Sequence, residues 1–184
     1  MTTMNKRLSK HQKKQNFVKI YLADDKGNAL DHFSGIVLEH NDDFVMMIDL
    51  LDFNYDGYVI FRKSDICEIK HSKNEEFFQK ILRKENLFRP IINCCQPIKL
   101  GEMKDMFKQL KKRNLPIIIE RLYDSEDIFQ IGPIHSVSKK RVRINYFNAR
   151  GEFELKPVVS KYKSITFFRV DSTYANLFNK YTKK

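Results

Sequence analysis

Two short segments in the second half of the chain combine closely spaced cations with a tyrosine. One surrounds a predicted tight turn at residues 138–140, with Tyr146 close behind it, and the other is "KYK" at residues 161–163. Cations bind the phosphates of single-stranded RNA, and flat side chains stack on its unpaired bases. The segments therefore predict an RNA-binding surface, although a solvated face of lysines over packed tyrosines would give the same pattern. The candidate RNA-binding residues are Lys139, Lys140, Arg141, Arg143, Lys161, Tyr162 and Lys163.

A third basic cluster lies at the end of a predicted helix. Residues 107–120, "FKQLKKRNLPIIIE", pass from a basic helical run into an apolar strand at Pro116, because proline cannot continue a helix. Residues 8–22, "LSKHQKKQNFVKIYL", have the same arrangement, which suggests an internal repeat. The helix-end cations are Lys111, Lys112 and Arg113 in the later segment and Lys13 and Lys14 in the earlier one.

The net charge of +11 is concentrated in the second half of the chain. Residues 102–184 hold 18 of the 34 Lys and Arg residues but only 9 of the 23 Asp and Glu residues. A positive field attracts polyanions, of which nucleic acid is the commonest and an anionic membrane surface the next. Excess lysine that merely keeps the protein soluble is the alternative interpretation.

No catalytic or cofactor motif accompanies these clusters. The sequence contains no GxSxG, P-loop or GxGxxG motif, and its five histidines lack the spacing of metal ligands. Acidic residues near predicted turns are explained by solvation without a metal ion. We therefore predict a protein that is not an enzyme and that uses neither a metal nor a cofactor.

Cysteine usage and hydropathy predict a cytoplasmic protein that does not enter a membrane. The basic N-terminus lacks the apolar core of a signal peptide, and no apolar stretch approaches the roughly 20 residues of a membrane span. Cys67, Cys94 and Cys95 are odd in number and form no CxxC motif. Reduced thiols are expected, with a vicinal disulfide between Cys94 and Cys95 as the alternative.

Residues 17–70 alternate short apolar runs with turn residues, which predicts five strands in about fifty residues and hence a small, bent barrel. Gly35 would permit a sharp bend in the second strand, and "NYDG" at 54–57 is a hairpin signal. A closing helix is predicted at 72–84 from its Ser cap and apolar spacing. The predicted strands are 17–22, 33–40, 44–52, 58–63 and 65–70.

Residues 102–184 repeat the same order of elements: a basic helix, five strands and a closing helix at 171–181. We interpret this as a duplication in which Phe33 corresponds to Phe129 and Ile66 to Ile165; two coincidentally similar β-meanders are the alternative. The predicted units are 1–86 and 102–184, joined by a linker at 87–101. The second set of predicted elements comprises strands at 116–122, 128–137, 141–147, 153–159 and 164–170, with a turn at 124–127.

Both copies resemble the Sm-like family, and most closely its bacterial RNA-chaperone branch, Hfq. Members of that family have an N-terminal helix followed by a strongly bent five-stranded barrel. The resemblance therefore implies a mainly β fold with flanking helices (α+β), built as two tandem small five-stranded, strongly bent Sm-like barrels. The residues that carry it are "VKIYL" (18–22), "LPIII" (115–119), Gly35, "NDDFVMMI" (41–48) and "VIFRKSDICEI" (59–69).

The resemblance also implies where RNA would bind. In that family a lysine–histidine pair of the last hairpin lines a ring pore that grips uridine-rich RNA, and arginines at the helix end hold phosphates on the rim. The helix-end cations named above match the rim position, more densely in the second copy. Arg62 and Lys63 in the first copy and Lys161 in the second are nearest to the pore position, where the histidine is missing.

We therefore expect a tandem Sm-like protein that binds single-stranded RNA through its basic second half. A non-catalytic protein–protein interaction module built from two small barrels is the main alternative, and attachment to an anionic membrane surface is a third. Units of this family form rings by pairing exposed edge strands, so self-association is an open alternative. The two closing helices would cover those edges and favour a monomer or dimer.

Overall fold

The computed structural model describes residues 3–24, 26–122 and 128–182, so the turn predicted at 124–127 lies outside the described residues. The chain divides into two compact units, Met1–Pro97 (unit 1) and Ile98–Lys184 (unit 2). Each unit consists of helices around an antiparallel sheet. The mainly β, α+β class expected from the sequence is therefore confirmed.

Unit 1 is a five-stranded antiparallel sheet preceded by one helix and followed by two. The strand order is β5-β1-β2-β3-β4. A single 3-10 turn, Lys63–Asp65, separates the last two strands. The elements are α1 (Thr3–Lys14), β1 (Phe17–Ala23), β2 (Ala29–His40), β3 (Phe44–Leu51), β4 (Asn54–Arg62), β5 (Ile66–Lys70), α2 (Lys73–Lys84) and α3 (Phe88–Cys94).

Unit 2 has the same order of elements with a single closing helix. Its strands are arranged β10-β6-β7-β8-β9, and a 3-10 turn, Tyr162–Ser164, again precedes the last strand. The elements are α4 (Met103–Arg113), β6 (Pro116–Arg121), β7 (Ile128–Val137), β8 (Arg141–Ile144), β9 (Val158–Lys161), β10 (Phe167–Val170) and α5 (Thr173–Tyr181).

The two small, strongly bent Sm-like barrels expected from the sequence are not confirmed. The strand order is linear in each unit, so in the described part of the chain neither sheet closes on itself by pairing β4 with β5 or β9 with β10. In both sheets a glycine of the second strand nevertheless lies close against the backbone of a neighbouring segment. A Cβ on Gly35 would lie 1.8 Å from the carbonyl oxygen of Ile48, and one on Gly132 would lie 2.0 Å from that of Asn145.

Equivalent irregularities mark corresponding positions in the two units. Two residues after its glycine, β2 has a register shift between Val37 and Glu39, and β7 has the same shift between Ile134 and Ser136. β-Bulges of this kind increase the local twist of a strand. The same local departure from regular pairing therefore occurs at the same place in both sheets, 97 residues apart.

Two residue pairs were expected to occupy equivalent positions in the two units. Ile66 and Ile165 do, whereas Phe33 and Phe129 are offset by one residue. Ile66 and Ile165 each end a 3-10 turn with nearly the same backbone angles, φ −72° and ψ 116° against φ −77° and ψ 118°. The spacing of 97 residues in the second strand aligns Phe33 with Gln130. Phe129 faces away, with 45% of its surface exposed, because a shift of one residue moves a side chain to the other face of a strand.

Residues 87–101, predicted as a linker, instead contain α3. Its residues Phe88 and Ile91 are buried in a cluster with Phe17, Ile48 and Leu82. The apolar run "FRPII" therefore completes the core of unit 1. Pro90 is accommodated because it lies in the first turn of the helix, where a backbone N–H has no intrahelical partner.

Several predicted strands differ in extent from the observed ones, most clearly β4, β8 and β9. The β3–β4 turn is at Asp52 (φ 53°), and Gly57 (φ 83°) lies inside β4, so "NYDG" belongs to an irregular strand. In place of the strands predicted at 141–147 and 153–159, the structure has the shorter strands β8 and β9, which are joined by a long connection. The Asn148 side chain accepts hydrogen bonds from the backbone N–H groups of Arg150 and Glu152 and closes a turn, across which Phe147 and Phe153 form a single antiparallel bridge.

Candidate nucleic-acid interface

The two basic segments singled out in the sequence face one cavity of unit 2. This basic cavity has a volume of about 650 Å³, within the range of ligand sites. One wall is the β7–β8 turn, and the other is the end of β9 with the 3-10 turn that follows it. The lining residues are Ser138, Lys139, Lys140, Arg141, Lys161, Tyr162 and Lys163, of which all but Ser138 were predicted.

Strand pairing brings the two walls together. Arg141 at the start of β8 lies opposite Lys161 at the end of β9. The preceding turn is closed by hydrogen bonds from the Ser138 backbone N–H (2.9 Å) and hydroxyl (3.0 Å) to the Arg141 carbonyl oxygen. Adjacent strands are only about 4.8 Å apart, so this register gathers cations that are twenty residues apart in the sequence.

Tyr162, which belongs to the lining of the basic cavity, is held in place by two hydrogen bonds and one ring contact. Its hydroxyl donates to the Ser138 carbonyl oxygen at 2.8 Å, and its backbone N–H donates to the Lys140 carbonyl oxygen at 3.1 Å. One ring face stacks on Phe107 of α4, with centroids 5.7 Å apart. Burial, with a smaller effect of Asp105, raises the pKa of Tyr162 to about 12, so the phenol remains a neutral donor.

The cations of the basic cavity are exposed and uncompensated. Lys139, Lys140, Arg141, Lys161 and Lys163 are all exposed, and no ion pair found among the described residues includes any of them. Asp105, which influences Tyr162, pairs with Lys108 at 3.5 Å. The cavity therefore presents a concentrated positive potential to solvent.

The other predicted residues of the second half do not line the cavity. Arg143 is half-buried on β8 opposite Val159, and Tyr146 packs against a core cluster that includes Phe147. Residues 111–113 are exposed at the C-terminal end of α4. Cations at that end of a helix also interact favourably with the helix dipole, so their position has a structural explanation as well.

In unit 1 the predicted pair is engaged in contacts within that unit. The Lys63 ammonium donates to the Asn5 side-chain oxygen at 2.9 Å and to the Asn41 carbonyl oxygen, and burial lowers its pKa. The Arg62 guanidinium lies 5.8 Å from the centre of the Phe44 ring. Lys13 and Lys14 are exposed at the end of α1. Lys63, one of the two unit 1 cations nearest to the expected pore position, therefore makes hydrogen bonds within its own unit.

The position equivalent to the basic cavity has the opposite charge in unit 1. The backbone N–H of Lys63 donates to the Asp43 carbonyl oxygen (2.8 Å), as that of Tyr162 does to Lys140. Asp42 and Asp43 therefore occupy the places of Lys139 and Lys140 in the turn between the second and third strands. Sequence reasoning missed this inversion, although aligning "NDDF" with "SKKR" at a spacing of 97 residues would have shown it.

A second cavity, of about 520 Å³, lies in unit 1 and was not predicted. It includes cations of α2, Lys80, Arg83 and Lys84, together with Glu76 and His71. His71 is 3.7 Å from Glu76 through Nε2, and its Nδ1 is 2.9 Å from the Phe17 carbonyl oxygen. Its lining mixes both signs of charge, unlike that of the basic cavity.

The chain matches no family model, no curated protein and no solved structure. None of the helices in the described ranges is long and apolar enough to cross a membrane.

Proposed function

We propose that this chain is a non-catalytic protein that binds single-stranded RNA through the basic cavity of unit 2. The observation that carries the proposal is the convergence of five exposed cations and one rigidly held tyrosine on one cavity. Cations supply the affinity for phosphates, and an aromatic face stacks on unpaired bases whatever their identity.

The charge inversion between the units supports a specific role for this cavity. If the cations served only solubility, no particular turn would need to carry them. Instead, the turn that contains Asp42 and Asp43 in unit 1 contains Lys139 and Lys140 in unit 2, on the same backbone framework. The turn between the second and third strands is thus basic in unit 2 and acidic in unit 1, and we infer that unit 2 is the RNA-binding half.

We further propose that each unit is a divergent, open relative of the Sm-like fold. The support is a shared layout: a basic helix, a second strand whose glycine lies close against neighbouring backbone, and a 3-10 turn before the last strand. Self-association through strand edges is part of this proposal. The outer strand β9 of unit 2 exposes 39% of Val159 and could pair with a second copy.

The alternative function, a protein-interaction module, is favoured by one observation. Helix α5 exposes apolar side chains, with 49% of Tyr174, 54% of Leu177 and 73% of Tyr181 accessible. Exposed apolar groups on one short helix are typical of contact surfaces for proteins. Such a surface would bind its partner with little dependence on salt.

Fluorescence anisotropy of labelled single-stranded RNA over a salt series tests the main proposal. Binding that neutralises Z phosphates should give a slope of log K against log salt of about −0.7Z. We expect a slope of about −2 to −3.5, since three to five of the cavity cations would contact phosphates. Weak binding with a flat salt dependence would contradict RNA binding and favour the interaction module.

A further inference from the structure

The basic cavity offers charge and one aromatic face but little that could read a base. Apart from arginine and lysine, which contact guanine and phosphates alike, the side chains that distinguish bases are chiefly amides, carboxylates and hydroxyls. The lining contains neither an amide nor a carboxylate side chain. Its two hydroxyl hydrogens are already used, because Ser138 donates to Arg141 and Tyr162 donates to Ser138. A ligand would therefore be selected mainly by its charge, since phosphates attract the same cations more strongly than a neutral base does.

The cations line a single cavity and come from neighbouring strand ends. Five of the seven lining residues are cationic, and they come from only two segments, 138–141 and 161–163, at neighbouring strand ends. An internal stretch of RNA carries one negative charge per nucleotide, spaced along an extended backbone. A terminal triphosphate places several negative charges within one compact group, which matches a compact cluster of cations better.

The tyrosine adds a place for the nucleoside next to those phosphates. Because Phe107 covers one face of the Tyr162 ring and the hydroxyl is held by Ser138, the ring is fixed in the cavity lining. A ring held in this way can stack on a base with little loss of conformational entropy. Phosphates bound by the cations and a base stacked on Tyr162 would together give a role to every lining residue except Ser138.

We propose that the basic cavity binds the triphosphate group of a nucleotide, as the 5′ end of an RNA or as a free nucleoside triphosphate, without selecting the base. This inference rests on the proposed function, because it names the part of the RNA that enters the same cavity. It further requires that affinity depend on the number of terminal phosphates.

The test uses the full chain and one RNA sequence, labelled at its 3′ end and carrying a 5′-hydroxyl, a 5′-monophosphate or a 5′-triphosphate. We expect affinity to rise in that order, with the triphosphate end at least about tenfold tighter than the hydroxyl end, as expected for added charge-assisted contacts. RNAs beginning with adenine, guanine or uracil should differ by less than about threefold, since stacking tolerates every base.

Variants localise the effect. Replacing Lys161 and Lys163 by Ala should reduce the preference for the triphosphate end to below about threefold, because two cavity cations are lost. Lys156→Ala removes an exposed charge of unit 2 outside the lining and should leave the preference intact. Circular dichroism checks that each variant is folded, and Lys139→Ala with Lys140→Ala provides a second pair from the opposite wall.

Competition with unlabelled ATP distinguishes the two sources of the group. Displacement of the triphosphate RNA by ATP at a similar concentration supports the cavity assignment with a free nucleotide as ligand. Equal affinity for all three RNA ends would overturn the inference and leave RNA binding in place. Binding of ATP without binding of any RNA would overturn the proposed function alone, and binding of neither would overturn both.

Discussion

The hydroxyl of Tyr162 donates a hydrogen bond of 2.8 Å to the carbonyl oxygen of Ser138, which joins the two walls of the basic cavity. In unit 1 the corresponding contact runs from the Lys63 ammonium to the Asn41 carbonyl oxygen. Both units thus use the residue that begins the 3-10 turn to hold the turn between the second and third strands. Only unit 2 uses an aromatic ring, which leaves the surrounding lysines free to act on a ligand.

Removing the Tyr162 hydroxyl should loosen the cavity without removing its ring. We expect Tyr162→Phe to lower the free energy of unfolding by about 1 kcal/mol, the usual net contribution of one hydrogen bond. Tyr162→Ala should cost more, since it also removes the stacking on Phe107. Urea denaturation measures both values. If RNA affinity falls in the Ala variant and not in the Phe variant, the ring and not the hydroxyl contacts the base.

Reversing the charge of the β7–β8 turn should weaken RNA binding strongly. Lys139→Asp with Lys140→Asp gives this turn the charges of its counterpart in unit 1, on a backbone that already accommodates them there. We expect affinity to fall at least about tenfold, with thermal stability nearly unchanged, because both residues are exposed. Lys156→Asp with Lys180→Asp is the charge-matched control. An equal loss in the control would show that only net charge matters.

The end of α4 tests whether the binding surface extends beyond the cavity. If residues 111–113 hold phosphates, Lys111→Ala with Lys112→Ala should flatten the salt slope by about 1.4, which corresponds to two phosphate contacts. The same change should cost less than about 2 kcal/mol of stability through the helix dipole. An unchanged slope in anisotropy titrations would restrict the RNA site to the basic cavity.

The glycines of the second strands should not tolerate a side chain. Gly132→Ala places a Cβ against the backbone oxygen of Asn145 and forces alanine to adopt φ +150°. We expect a loss of about 3 kcal/mol or more, since a backbone clash cannot be relieved by rotating a side chain. Gly35→Ala should behave similarly in unit 1. Gly101→Ala is the control, because no atom lies within 4 Å of its added Cβ.

Unit 1 should lose stability in mildly acidic solution because of His11. Burial, followed by the nearby His71, lowers the pKa of His11 from 6.5 to about 4. The unfolded chain therefore binds a proton between pH 6.5 and about 4 that the folded chain does not. Stability is fully present above pH 6.5 and should fall by up to about 3 kcal/mol as the pH drops through this window.

Denaturant midpoints measured across this pH range check the prediction. His11→Gln should remove most of the pH dependence, whatever its effect on stability at pH 7. His135→Gln, at an exposed position, should leave the dependence as it is in the unchanged chain. A flat profile in the unchanged chain would contradict the assignment of a neutral, buried His11.

Local patterns predicted the elements well where one physical rule dominated. The period of apolar residues and the Ser72 cap located α2 within a residue, and α5 lies within the predicted range 171–181. Prediction failed where packing of distant residues decides the outcome. Regular pairing of β8 with β9 is confined to residues 141–144 and 158–161, and burial of Phe88 and Ile91 accompanies a helix in the predicted linker.

By itself, the sequence determined two repeated sets of elements, an α+β class and the cations that could bind a polyanion, because these depend on residue type and short-range spacing. Only the tertiary structure decided which cations share a cavity. Pairing of β8 with β9 brings residues 138–141 to residues 161–163, whereas Arg143 and Tyr146 are drawn towards other contacts. The physical reason is that strand register and packing, which join residues distant in the chain, select neighbours that sequence spacing does not encode.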